Sequence, residues 1–135
     1  MKRKKRVLLF AILLLLLIPV VKFAVSEGFR ERTDVGVRDF SVSEDGSAIT
    51  IKIAMMYSMG YVRAMEPKQV GDEIRCTFYQ TFGGLNFGFG SRDQFEIQLD
   101  PSVTRICFNR FQSGWEPVLK KDPASGEWTQ VRPSG

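Results

Sequence analysis

The sequence predicts an all-β body: an antiparallel β-sandwich of immunoglobulin-like size with seven or eight strands, preceded by one N-terminal transmembrane helix. Three observations carry this reading. The first twenty-five residues, MKRKKRVLLFAILLLLLIPVVKFAV, hold a basic flank and a long apolar run. Beyond residue 35 the apolar residues recur at every second position, and no helical period appears. Turn residues (Asp-Gly, Gly-Asp, Asp-Pro, Ser-Gly) punctuate the rest at near-regular spacing. A small barrel is the competing architecture.

Residues 1–6 form the basic flank, with five consecutive cations from Lys2 to Arg6. Residues 7–25 read as the anchor, with Val7, Leu13, Leu15, Leu17 and Val21 facing lipid. Nineteen helical residues reach about 28 Å, close to the ~30 Å of a hydrocarbon core. Lys22 sits near the far end, where its ammonium can snorkel to the headgroups. Basic flanks stay on the cytoplasmic side, so the segment reads as a signal-anchor of a single-pass cell-membrane protein whose body lies outside. A cleaved signal peptide is the alternative: Pro19 would end the apolar helix, and Ala24-Val25-Ser26 offers small residues to a peptidase. No cysteine follows the run, which excludes a lipoprotein.

Charge changes meaning once this segment is set aside. Nineteen cations and fifteen acids give +4 overall, but six cations precede residue 26 and no acid does. The remainder carries thirteen cations against fifteen acids, a net of −2. A weakly acidic body lacks the electrostatic footprint of a nucleic-acid binder. The expected partners are the bilayer, through the helix, and an envelope protein or glycan.

Residues 26–34 (SEGFRERTD) read as a juxtamembrane linker and residues 35–131 as the β body, with a loose tail at 132–135. Phe40 and Val42 alternate with polar residues up to the turn Glu44-Asp45-Gly46-Ser47. Ile49, Ile51, Ile53 and Met55 then make the clearest half-buried strand. Tyr61–Met65 is a short extended piece that Pro67 marks as an edge or an ending. After Gly71-Asp72, Glu73–Phe82 is rich in aromatic and β-branched residues. GGLNFGFGSR is a glycine-rich loop, Gln94–Leu99 alternates again, Thr104–Phe111 follows, and Trp115–Lys121 with Glu127–Val131 makes a final pair.

Cys76 and Cys107 suggest a disulfide in an oxidising exterior. Cys76 shares parity with Ile74 and Phe78 and points inward. If Ile106 and Phe108 also point inward, Cys107 faces away and the two cannot meet; with Cys107 and Phe111 inward, they can.

The chain has no histidine. That removes Ser-His and Cys-His pairs, histidine bases and the usual zinc sets, and S-x-x-K and G-x-S-x-G are missing too. Asp45, Asp72, Asp100 and Asp122 all fall in turns, where they serve the backbone rather than a hydrolytic carboxylate pair. The glycine-rich loop lacks the G-K-[ST] ending of a phosphate cradle. Met55, Met56, Met59 and Met65 are core fillers rather than a copper site. No catalytic residue, metal or cofactor is assigned.

Five residues are candidate binding contacts. Leu85, Phe87 and Phe89 cap the end of the body if they fold back, or form an apolar tip if they point outward. Tyr79, with outward parity beside Phe78, and Trp115 are candidates for stacking on a glycan. The runs SMGYVRAMEP, CTFYQTFGGLNFGFG, FEIQL and VLKKDPASGEW, over roughly residues 48–130, resemble a group of small uncharacterised bacterial proteins with an N-terminal membrane segment. The resemblance implies an extracytoplasmic β domain and carries over no catalytic residue. The expected role is a noncatalytic interaction or cell-envelope accessory module; the alternative is an exported glycan- or cell-wall-binding domain released by cleavage.

Overall fold

A computed structural model describes residues 2–56, 60–83 and 88–131. The chain is mostly β, with one apolar helix at its N-terminus.

Helix α1 runs from Lys2 to Glu27, takes in the basic flank, and passes through Pro19 without a break. It is long and apolar enough to cross a membrane. Its apolar residues point outward on every side: Val7, Leu13, Leu15, Leu17 and Val21 are each about half to two-thirds exposed. Over this run the helix is apolar all round, the composition of a segment that faces hydrocarbon.

The segment expected as a linker holds a two-residue strand, β1 (Glu31–Arg32), which pairs with the strand at Phe78 and Tyr79. Eight further strands follow: β2 (Val35–Val42), β3 (Ala48–Met55), β4 (Val62–Val70), β5 (Glu73–Gln80), β6 (Gln94–Gln98), β7 (Arg105–Arg110), β8 (Gly114–Lys121) and β9 (Trp128–Gln130). Among the described residues they form a three-stranded sheet, β2-β3-β6, and a six-stranded sheet in which β5 is bordered by β4 on one side and by β7 and β1 on the other.

Strict alternation builds the centre. In β3, Ile49, Ile51 and Ile53 are buried, and in β5 Ile74, Cys76, Phe78 and Gln80 are. Two bulges bend the pattern where alternation alone would waste apolar residues. One extra residue near Arg38 lets both Val37 and Phe40 pack on the core. Another, opposite Ile106 and Cys107, lets neighbouring Val118 and Leu119 both be buried. The two sheets share one core, and Phe78 of β5 meets Phe95 of β6 across it, ring centres 6.0 Å apart.

The expectation of a wholly antiparallel body fails at one pair: β5 and β7 run parallel, Glu73 to Cys76 beside Arg105 to Phe108. Parallel neighbours need a crossover, and here β6 is the crossover. The chain leaves β5, pairs β6 with β3 in the other sheet, and returns to lie along β5 in the same direction. Proline at position 67 does not end β4, which runs on to Val70 as an edge strand paired with β5 alone.

These directions give the body two ends. At the far end lie the turns at 43–47, 71–72, 99–104 and 122–127, tied by Leu99 N–H to the Ser47 carbonyl and Thr104 N–H to that of Asp72. Asp45 behaves there as expected. It accepts from the Ser47 and Ser43 hydroxyls and the Ser47 N–H, which hold its carboxyl down at about 2. Gly46, at φ +74°, closes the hairpin. At the helix end lie β1, the start of β4, the ends of β5 and β7, and the chain on either side of the glycine-rich loop.

Candidate functional site

Two places gather chemistry: the outward face of the six-stranded sheet, and the junction where α1 meets the body.

On the outward face, residues paired across strands share a side. Glu31 pairs with Tyr79 and Asn109 with Trp115, and Asn109 Nδ2 donates to Glu31 Oε1 at 2.7 Å. The result is a row, Tyr79–Glu31–Asn109–Trp115, with an aromatic ring at each end and a carboxylate and an amide between. The Tyr79 hydroxyl donates to Glu66 Oε2 at 3.2 Å; burial and that carboxylate raise its pKa. The Arg75 guanidinium lies 5.5 Å from the Trp115 ring, and its Nε is buried without a hydrogen-bond partner. Below this row Cys107 Sγ donates to Glu73 Oε2 at 3.0 Å, and Glu73 faces Arg75 and Arg105, each at 3.6 Å. The Cys107 thiol and the Arg cations together hold the Glu73 carboxyl below its usual range.

Cys107 thus takes the branch in which Ile106 and Phe108 face the core and the thiol faces away. Both Cys76 and Cys107 are free thiols, and both are buried.

At the junction, the last turn of α1 is built into the body. Glu27 is buried and accepts from Gln80 Nε2 at 2.8 Å, while Arg30 pairs with it at 3.4 Å. Gly83 N–H donates to the Ala24 carbonyl at 3.0 Å. Arg63 donates to the Gly28 carbonyl from Nε, at 3.1 Å, and from Nη2. Its guanidinium lies 4.4 Å from the Phe82 ring centre and 5.7 Å from those of Phe29 and Tyr79. Phe29 and Phe82 meet edge to face at 5.9 Å. A side chain at Gly28 would place its Cβ 2.0 Å from the Phe82 ring, so only glycine permits this approach.

Of the five candidate contacts, Tyr79 and Trp115 fall on one face, in one row, both half-buried. Phe89 belongs to the helix end and is 83% exposed, so it projects outward instead of folding back as a cap. Leu85 and Phe87 lie outside the described residues, as do Tyr57 and Met59. Sequence reasoning missed Arg63, Phe29, Glu31 and Asn109. Arg63 sits at a register shift in β4, a strand without alternation, so it has no local signal. Glu31 and Asn109 take their meaning from β1, too short to leave a period, and Phe29 from its packing on Phe82. No family model, curated protein or solved structure matches this chain.

Proposed function

We propose that this chain is a membrane-tethered, noncatalytic interaction module of the cell envelope. Its helix spans the cell membrane once with the basic flank in the cytoplasm, and a β-sandwich stands outside. One observation carries the reading: the helix and body are joined through Glu27–Gln80, Ala24–Gly83 and Gly28–Arg63 rather than by a slack linker. Such a joint suits an anchor that is retained, since cleavage after Ser26 would remove the Ala24 carbonyl and cut directly before the buried Glu27. An enzyme reporter that is active only outside the cytoplasm, fused at the C-terminus, is expected to be active. Activity confined to a cytoplasm-only reporter would overturn the topology.

A second reading is favoured by the row on the outward face. Aromatic rings flanking a carboxylate and an amide suit a glycan, the rings stacking on sugar faces and the polar pair bonding hydroxyls. Full-length protein in detergent is then expected to be retained on cell-wall glycan, and Tyr79→Ala or Trp115→Ala to abolish retention. Equal passage of wild type and both variants removes this reading and leaves the first intact.

A further inference from the structure

Among the described residues of the body, five aromatic rings are well exposed: Phe29 (66%), Tyr61 (43%), Phe82 (40%), Phe89 (83%) and Phe111 (82%). All five lie at the helix end. Phe29 follows α1 after Gly28, and Phe82 packs on it. The Tyr61 carbonyl accepts from Thr81 N–H, and a Cβ at Gly88, next to Phe89, would lie 3.3 Å from the Tyr61 ring. Phe111 follows β7, which runs parallel to β5 and so ends on the same side. The far end presents the turn aspartates Asp45, Asp72, Asp100 and Asp122 instead.

The helix fixes where that aromatic end sits. Its apolar run through Val25 reaches about 28 Å, barely the hydrocarbon thickness, so Ala24 and Val25 stand at the boundary with no slack. Gly83 bonds directly to the Ala24 carbonyl. The backbone beside Phe82 is therefore one hydrogen bond from the hydrocarbon edge. Arginines share this end. Arg30 has a side chain 69% exposed, Arg92 is exposed with its guanidinium 4.9 Å from the Phe95 ring, and Arg63 lies over Phe82. Acids there are engaged: Glu27 by Gln80 and Arg30, Glu31 by Asn109, Asp34 by Arg32, and Asp93 by Arg38 at 4.0 Å. Exposed apolar rings with arginines beside them suit a membrane interface, the rings at the boundary of headgroups and acyl chains and the cations on phosphates.

We propose that the helix end of the body is a membrane-interface collar, in which Phe29, Phe82, Phe89 and Phe111 enter the phospholipid headgroup layer around the emerging helix. The body then rests on the bilayer and holds its outward sheet face at a fixed tilt. This rests on the helix being a membrane span.

The test uses full-length protein in nanodiscs of phosphatidylcholine and phosphatidylglycerol. A fluorophore is attached at Phe89→Cys, Phe111→Cys, Glu44→Cys of the far turn, or Leu15→Cys of the helix; the native thiols are buried. Phosphatidylcholine with a nitroxide near the headgroup is expected to quench positions 89 and 111 severalfold more than position 44, and iodide in the water to do the reverse. Quenching at 89 and 111 no greater than at 44, while a deep nitroxide quenches position 15, overturns the collar and leaves the span standing. An unquenched position 15 overturns both. Phe89 and Phe111 are exposed, so their replacement leaves the core untouched.

Discussion

Phe78→Ala is expected to remove about 3–5 kcal/mol of stability, the largest single loss in the body. Its ring is 1% exposed and touches Phe108 beside it (centres 4.7 Å apart) and Phe95 in the opposite sheet. Truncation removes transfer energy, opens a cavity, and breaks the aromatic contact that joins the sheets. Domains of this size hold about 5–15 kcal/mol in total, so the variant sits near the edge of folding. Urea unfolding of the full chain in detergent, followed by Trp115 and Trp128 fluorescence, should show a midpoint far below wild type. Phe111→Ala, at an 82% exposed position, is the control and should stay within about 0.5 kcal/mol. Equal midpoints for wild type and Phe78→Ala would mean that the core is not built around this ring.

The parity that makes Phe78 central is written in the sequence. Isoleucine at 49, 51 and 53, and Ile74, Cys76 and Phe78, declare their buried faces by period two, because each strand packs only one side. The turns at Asp45-Gly46 and Gly71-Asp72 were equally legible, since their geometry depends on local chemistry. Other features needed the third dimension. Whether β7 lies parallel or antiparallel to β5 depends on which sheet β6 joins, and nothing within 105–110 records that. Strand β1 has two residues and exists only because β5 offers an open edge beside β7. The site followed the same division. Tyr79 was readable from its parity with Phe78, whereas Glu31 and Asn109 became its neighbours only through β1 and β7. Phe89 was visible as a glycine-loop aromatic, but its direction was not, because glycines on both sides leave the backbone path open.

The two thiols should make the protein alkali-sensitive. Cys76 is sealed in the core, and burial pushes its pKa from 9.0 up to about 12, with Cys107 adding to the rise. Cys107 reaches about 12 as well, first through burial and then through the Glu73 carboxylate, with Arg105 and Arg75 pulling the other way. In the unfolded chain both revert to an ordinary thiol, near 8.5–9. Below that range both states keep their protons and the thiols leave stability unchanged with pH. Above it the unfolded chain binds fewer protons than the folded one, so stability falls as pH rises, and goes on falling until the folded thiols ionise near 12. A fully shielded thiol such as Cys76 contributes a slope of about 1.4 kcal/mol per pH unit in this window. The measurement is a difference, so that it reads the two thiols alone. Urea unfolding under reducing conditions at pH 7.5, 9 and 10 is compared between wild type and Cys76→Ala/Cys107→Ala. Wild type should lose more stability between pH 9 and 10 than the variant does. In the native state at pH 8 both thiols should resist iodoacetamide, and denaturation should expose two. Parallel pH profiles, or fewer than two free thiols after nonreducing denaturation, would contradict a pair of shielded, unlinked cysteines on opposite sides of the sheet.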